Sequence, residues 1–321
     1  MAETKNPLDI LDQLPEAARI RSRKVIGGIA TIVADATGLS PKDAADFEKR
    51  LCAAAEAQPG IIEARIAMTA AQPQRKLIAI ASGKGGVGKS TLSANLAIAL
   101  TRMGKKIGLI DADVYGPSQT KLLGTEERPT ATDKKLNPVE AHGISFLSLG
   151  QLVPAGQALA WRGPMAASAL GQLLDADWGD AELIVVDLPP GTGDVQLSLV
   201  QKSRPAGALI VSTPQALSLI DATRAIDLFG KVSVPVLGLV ENMAGYACPH
   251  CGEQSDPFGS GGAEAAAEEL GIPFLGRLPL SSGLRAASDA GEPPAAGDGA
   301  EAEAFAGIAK KLLVQLETVS G

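Results

Sequence analysis

Ser82-Gly83-Lys84-Gly85-Gly86-Val87-Gly88-Lys89-Ser90-Thr91 lies between a short apolar run, Leu77 to Ala81, and a longer helical pattern, Lys89 to Met103. From Gly83 onward it satisfies G-x-x-x-x-G-K-[ST], with the strand before it and the helix after it that this motif requires. Glycines at 83, 85, 86 and 88 let the backbone turn tightly, so that successive N–H groups converge on phosphate oxygens. The positive end of the following helix dipole is aimed at the same place. Gly83 to Thr91 is therefore the expected nucleotide-binding loop, with Lys89 bridging the β- and γ-phosphates of ATP and the Ser90 hydroxyl ligating Mg²⁺.

Outward from this loop, short β-branched runs alternate with longer helical patterns, the signature of a parallel sheet covered on both faces. Further strands are expected at Ile107 to Asp111, Ile144 to Leu149, Leu183 to Asp187, Ala208 to Ser212, Val236 to Val240 and Phe274 to Leu275. Helices are expected at Met165 to Asp175, Leu217 to Phe229 and Gly262 to Leu270. The fold class is thus a doubly wound, mainly parallel α/β domain over residues 76–321, and no repeat period is visible. Residues 1–75 read as a separate, small α+β module: Ala-rich helical segments, a turn at Gln58-Pro59-Gly60, a strand from Ile61 to Met68 and a linker over 71–75. The basic run Arg19, Arg21, Arg23 and Lys24 in it is read as a solvated helix face. Ser288 to Ala300 is a Gly/Pro-rich loop before a last helix, Ala302 to about Glu317, that places Phe305, Ile308, Ala309, Leu312, Leu313 and Leu316 on one face and Lys310 and Lys311 elsewhere.

Two strand ends bring carboxylates to the edge where ligands of doubly wound folds collect. One ends Leu109-Ile110-Asp111-Ala112-Asp113; the other runs Val185-Val186-Asp187 into Leu188-Pro189-Pro190-Gly191-Thr192-Gly193-Asp194. Asp187, after four apolar residues, reads as a Walker B acid that holds Mg²⁺ directly or through water, and Gly191 can bring a backbone N–H to the γ-phosphate. Asn242, after the strand Val236 to Val240, can offer both a donor and an acceptor to a base edge.

Composition excludes several partners. With 29 basic against 36 acidic side chains the formal charge is −7, and aromatics are 3% of 321 residues. A global positive field for nucleic acid or anionic lipid is missing, as are base-stacking platforms. The first residues contain no signal-peptide apolar core and no apolar run is long enough to span a bilayer, which predicts a cytoplasmic protein with no membrane partner. Three cysteines, Cys52, Cys248 and Cys251, do not make a disulfide framework.

Cys248-Pro249-His250-Cys251-Gly252 is a C-x-x-C in a loop between a strand and a helix. A closed zinc site or an ordinary iron-sulfur cluster takes four ligands, and this chain has one such pair, with His250 a possible third ligand. A redox dithiol is disfavoured because the motif does not open a helix after the first strand. In a twofold dimer two copies of the loop can supply four thiolates, enough for a [4Fe-4S] cluster between subunits.

Lys84, directly after the first glycine of the loop, resembles the deviant Walker A class that includes the ParA and MinD partitioning proteins and the nitrogenase iron protein. That resemblance implies that Lys84 reaches across a dimer to phosphates bound by the other subunit. It also implies that Asp113 orients the attacking water, with Asp111 meeting Mg²⁺ through water. Taken together, GKGGVGKST, DADVYGPS at Asp111 to Ser118, VDLPPGTGD at Val186 to Asp194, VENM at Val240 to Met243 and CPHCG at Cys248 to Gly252 resemble the Mrp/ApbC iron-sulfur cluster carriers. The likeness runs from about Lys76 to the end. It implies a homodimeric, slow ATPase that receives a [4Fe-4S] cluster on Cys248 and Cys251, in exchange with scaffold proteins, and passes it to apo-proteins, with Asn242 contacting adenine. Gln58 to Ile66 is similar to the final turn and strand of the iron-sulfur assembly domain found in many relatives, in degenerate form: Ser40-Pro41 stands where a Cys often precedes the Pro, and Cys52 reads as a buried structural thiol. The alternatives are a ParA/MinD-like positioning ATPase acting on DNA or membrane, and a zinc-bound form of the same ATPase.

Overall fold

A computed structural model describes residues 7–69, 75–152 and 163–319. The chain divides into two compact units, Met1–Pro73 and Gln74–Gly321. Residues 71–74 of the expected linker lie outside the described residues.

In the first unit, β1 (Ile20–Ile26) and β2 (Ile29–Asp35) form an antiparallel hairpin, α1 (Pro41–Glu56) follows, and β3 (Glu63–Thr69) joins β2 in parallel. The period-two alternation of β2 puts Ala30, Ile32 and Ala34 against Phe47, Leu51 and Ala55 of α1 and against Leu8 and Leu11. Ser40 caps α1, its Oγ accepting from the Asp43 N–H at 3.1 Å, so the hydroxyl at this position serves the helix start. Two expectations are corrected. The region before residue 61 is part strand, and the basic run lies on β1 and the turn before it rather than on a helix. There Arg21 pairs with Asp35 (2.5 Å) and Arg23 with Asp12 (2.8 Å). The bulge between Ile20 and Ser22 breaks the alternation that would have marked the strand.

The second unit runs β4 (Lys76–Ala81), α2 (Lys89–Arg102), β5 (Ile107–Asp111), the short α3 (Gln119–Leu122), a hairpin of β6 (Thr130–Thr132) and β7 (Lys135–Asn137), β8 (Val139–Ala141) and β9 (Ile144–Ser148). It continues through α4 (Gly163–Leu174), β10 (Leu183–Asp187), α5 (Asp194–Ser203), β11 (Gly207–Ser212), α6 (Ala216–Lys231) and β12 (Val236–Glu241). A hairpin of β13 (Tyr246–Ala247) and β14 (Gln254–Ser255) precedes α7 (Gly262–Leu270), β15 (Phe274–Arg277), α8 (Ser282–Ala290) and α9 (Ala300–Thr318).

Eight strands form one sheet in the order β15-β12-β11-β4-β10-β5-β9-β8, parallel except for β8. Its central strands are apolar on both faces because helices cover both. Ile78 and Ile80 of β4 pack with Leu92 and Leu96 of α2 and with Phe305, Ile308 and Leu312 of α9. Ala79 and Ala81 face the other way, toward Leu170 of α4, Leu199 of α5 and Phe229 of α6. This is the doubly wound α/β fold. The last helix buries Phe305, Ile308, Ala309, Leu312 and Leu316 and exposes Lys310 and Lys311. The loop expected over 288–300 is narrower, because α8 ends at Ala290 and α9 begins at Ala300. Among the described residues no helix is long and apolar enough to cross a membrane.

Candidate functional site

Strand register assembles the acids. β10 lies between β4 and β5, with Asp187 opposite Asp111 on one side and Ile80 on the other, so both carboxylates leave the sheet beside the loop that follows β4. Asp187 is fully buried. Its Oδ1 accepts from Lys89 Nζ at 2.6 Å and Ser93 Oγ at 2.9 Å, and its Oδ2 from Gln119 Nε2 at 2.9 Å. Asp111, also fully buried, accepts at Oδ2 from the N–H groups of Ser118 (3.0 Å) and Gln119 (3.1 Å) and from Ser148 Oγ (3.0 Å). It thereby folds the segment 112–119 back over the sheet edge. Burial first, and the neighbouring Asp187 charge second, push the Asp111 carboxyl up to about 7. Asp113 accepts at Oδ1 from the N–H groups of Tyr115 (3.0 Å) and Gly116 (3.2 Å), and its Oδ2 is 3.8 Å from Lys89 Nζ. Lys89, itself buried, is thus the cation between Asp187 and Asp113.

The loop has the backbone its glycines allow: Gly86 and Gly88 lie at φ +78° and +83°. Gly83 is required for a different reason, since a Cβ there would overlap the Asp221 backbone of α6. Asn242 packs on Gly88 and donates from Nδ2 to the Val87 carbonyl at 2.8 Å. Gly191 donates its N–H to the Ser82 carbonyl at 2.9 Å. Two cavities adjoin along Gly88, Thr91 and Leu122. One of ≈ 260 Å³ is lined by Lys84, Gly85, Gly86, Lys89, Ser90 and Asp113; the other, of ≈ 470 Å³, by Asn242, Met243, Tyr246, Leu278 and Arg285. The smaller is faced by two lysines and the Asp113 carboxylate, the charges a phosphate site uses, and the larger is mostly apolar, like a site for a flat ring. A hydroxyl at Ser90 beside the carboxylate of Asp187 is an all-oxygen donor set that fits Mg²⁺. The buried Gln119 Oε1 beside them has no hydrogen-bond donor.

The cysteine pair is carried on the β13–β14 hairpin. Cys248 donates its N–H to Glu253 O (2.9 Å) and its carbonyl accepts from Gly252 N (2.8 Å), with Gly252 at φ +74° closing the turn. Cys248 is half-buried and Cys251 exposed. The Cys251 and His250 N–H groups hold the Cys248 thiol below its ordinary value. Among the described residues no group of three His, Cys, Asp or Glu side chains is placed to hold a metal ion. Cys52, on α1, is half-buried, its thiol pushed up by burial.

Residue-by-residue reading missed two side chains. Glu241, fully buried, accepts from Gly261 N (3.0 Å), Ala263 N (2.9 Å) and Arg277 Nε (3.3 Å), clamping the start of α7 to the strand that carries Asn242. An acid closing an apolar strand was the signal that found Asp111 and Asp187, and it was present here too. Gln119 carries no local signal; only the fold brings it to Asp187 and to the Ser90 carbonyl, at 3.0 Å.

A family model for the NUBPL iron-transfer P-loop NTPases of the ParA group matches residues 74–313. A Deinococcus radiodurans protein named iron-sulfur cluster carrier protein is 50% identical over 247 residues, 75% of this chain and 70% of its own. A Synechocystis protein of the same name is 39% identical over 330 residues, spanning 95% of this chain and 92% of its own. Among solved structures, a nucleotide-binding protein from Archaeoglobus fulgidus in complex with ADP, with cobalt, is similar at a TM-score of 0.61 and 40% identity, over 68% of this chain and 86% of that one. The loop, the paired strand ends and these matches agree, and the chain belongs to the NUBPL iron-transfer P-loop NTPase family.

Proposed function

We propose that this protein is an ATP-binding and ATP-hydrolysing iron-sulfur cluster carrier, active as a homodimer that holds one [4Fe-4S] cluster on Cys248 and Cys251 of both subunits and passes it to apo-proteins. The observation that carries this is the hairpin, which presents two thiols, one of them exposed, with no third metal ligand among the described residues. A four-iron cluster takes about four thiolates, and a twofold axis supplies the missing pair. The carrier names of the relatives point to the same cargo, and the ADP complex of the Archaeoglobus protein supports nucleotide binding. Leu217 and Ile220, exposed on α6 beside the Asp221 that packs on Gly83, give the loop an apolar border suited to a second copy.

In the nucleotide cycle, Lys89 exchanges the Asp187 carboxylate for the β- and γ-phosphates of incoming ATP. Ser90 and Asp187, with Asp111 behind them, would hold Mg²⁺, which would supply charge neutralisation to the developing phosphate. Asp113 orients the attacking water, the Gly191 N–H exchanges the Ser82 carbonyl for the γ-phosphate, Asn242 meets adenine, and Lys84 reaches the nucleotide of the partner copy. The hairpin starts in the wall of the base cavity, because Met243 and Tyr246 line it and Cys248 lies two residues further on. Nucleotide occupancy can therefore bear directly on the thiols.

Anaerobic reconstitution with iron and sulfide tests this proposal. About four Fe and four sulfides per dimer, lost in Cys248→Ala and in Cys251→Ala, is the expected result. Zinc retained on the pair with no cluster formed would make the protein the zinc-bound ATPase. A wild-type protein that binds neither, yet binds DNA or vesicles with ATP, would make it a positioning ATPase.

A further inference from the structure

Gln119 opens α3 at the end of the segment that Asp111 holds folded, and its side chain is fully buried. Its amide orientation is settled by its neighbours. Nε2 donates both to the Ser90 carbonyl (3.0 Å) and to Asp187 Oδ2 (2.9 Å), and a flipped amide would face two oxygens with an oxygen. Oε1 is left buried with no donor, which costs free energy until one arrives. The two residues that Nε2 grips are those whose side chains fit Mg²⁺. A Mg²⁺ ion bound through one or two protein ligands keeps several waters, and those waters are strong donors.

We propose that Gln119 is a positioning residue for the metal of the nucleotide site. Its carbonyl accepts a hydrogen bond from a Mg²⁺-bound water, while its NH₂ group fixes the Asp187 carboxylate relative to the loop after Lys89 lets go of it. The proposal rests on the reading of that loop as a Mg²⁺–nucleotide site and adds to it a residue that touches neither phosphate nor metal.

The test is nucleotide binding, without turnover. The affinity of the full-length protein for a fluorescent ADP analogue is measured with excess Mg²⁺ and with EDTA, and the ratio of the two is the metal-dependent gain. Gln119→Met, of similar shape but without either polar group, is expected to reduce that gain about tenfold, the affinity in EDTA serving as each variant's own reference. Gln119→Leu, smaller and likewise without either polar group, is expected to lose the gain to a similar degree. A Gln119→Met protein with the full wild-type gain would overturn the assignment, as would a Gln119→Leu protein with the full gain. If the Met variant does not fold, the Leu variant decides alone by the same criterion. A wild-type protein with no gain at all would refute the Mg²⁺–nucleotide reading itself, an outcome distinct from a gain that is present and indifferent to Gln119.

Discussion

The Lys89 ammonium lies 2.6 Å from Asp187 and 3.8 Å from Asp113, so a phosphate entering this site offers the lysine one anion in place of another. That exchange keeps the buried carboxylates neutralised until the phosphates arrive. Lys89→Ala removes the cation that pairs with Asp187 and Asp113 and is expected to cut ATP hydrolysis below about one-hundredth of wild type in a phosphate-release assay. On the proposal that Asp113 serves the water rather than the nucleotide, Asp113→Ala should slow hydrolysis about a hundredfold while changing ATP affinity less than about threefold. Undiminished turnover there would show that another group orients the water. Gly83→Ala sets a methyl group against the Asp221 backbone and is expected to lower stability by about 1–3 kcal/mol in thermal unfolding, with nucleotide affinity falling alongside it.

Among the elements, β12 does the most to join the two halves of the site, because one strand end carries the Glu241 clamp, the Asn242 contact to the loop and the path to the cysteine hairpin. Glu241→Ala strands the Gly261 and Ala263 N–H groups and is expected to cost about 2–3 kcal/mol, read by denaturant unfolding. In the small N-terminal unit the end of β2 gives a pH test. The Thr37 and Arg21 hydrogen bonds hold the Asp35 carboxyl well below its ordinary value. Because that folded value is depressed, the stability Asp35 contributes is fully present above about pH 4 and is lost as pH falls further. The stability difference between wild type and Asp35→Asn should therefore be constant from pH 5 to 7 and shrink below about pH 4. Elements with a strong periodic signal were legible in the sequence: α2 and α9 by their apolar faces, β5 and β10 as unbroken apolar runs ending in acids. α5 was not, since it begins inside the Gly/Pro-rich run after Asp187, nor was α8, whose Ser/Gly-rich stretch reads as loop until the Ser281 cap and Gly291 at φ +77° are seen. β1 was hidden by arginines whose carboxylate partners lie 11 to 14 residues away. Gln119 and Glu241 escaped for a related reason: their meaning lies in groups that only the sheet order brings near.

At the scale of the whole molecule, 321 residues with a net charge of −7 build a nucleotide loop, which the proposed dimer completes with Lys84 of the second copy, and a hairpin that presents two cysteines. The central claim we propose is that one chain carries half of a cluster site and a second copy supplies the other half. Two copies of an acidic chain repel at long range, so the proposed pairing would rest on local contacts, the apolar border of α6 and the shared cluster. Native mass spectrometry of the anaerobically reconstituted protein measures this directly, because it weighs the assembly and its metal together. The account predicts a dimer carrying one four-iron, four-sulfide cluster, which falls apart into cluster-free chains when Cys248 and Cys251 are replaced by Ala. A monomer that keeps a complete cluster or a zinc ion of its own, or a dimer that carries one such group per chain, would contradict it.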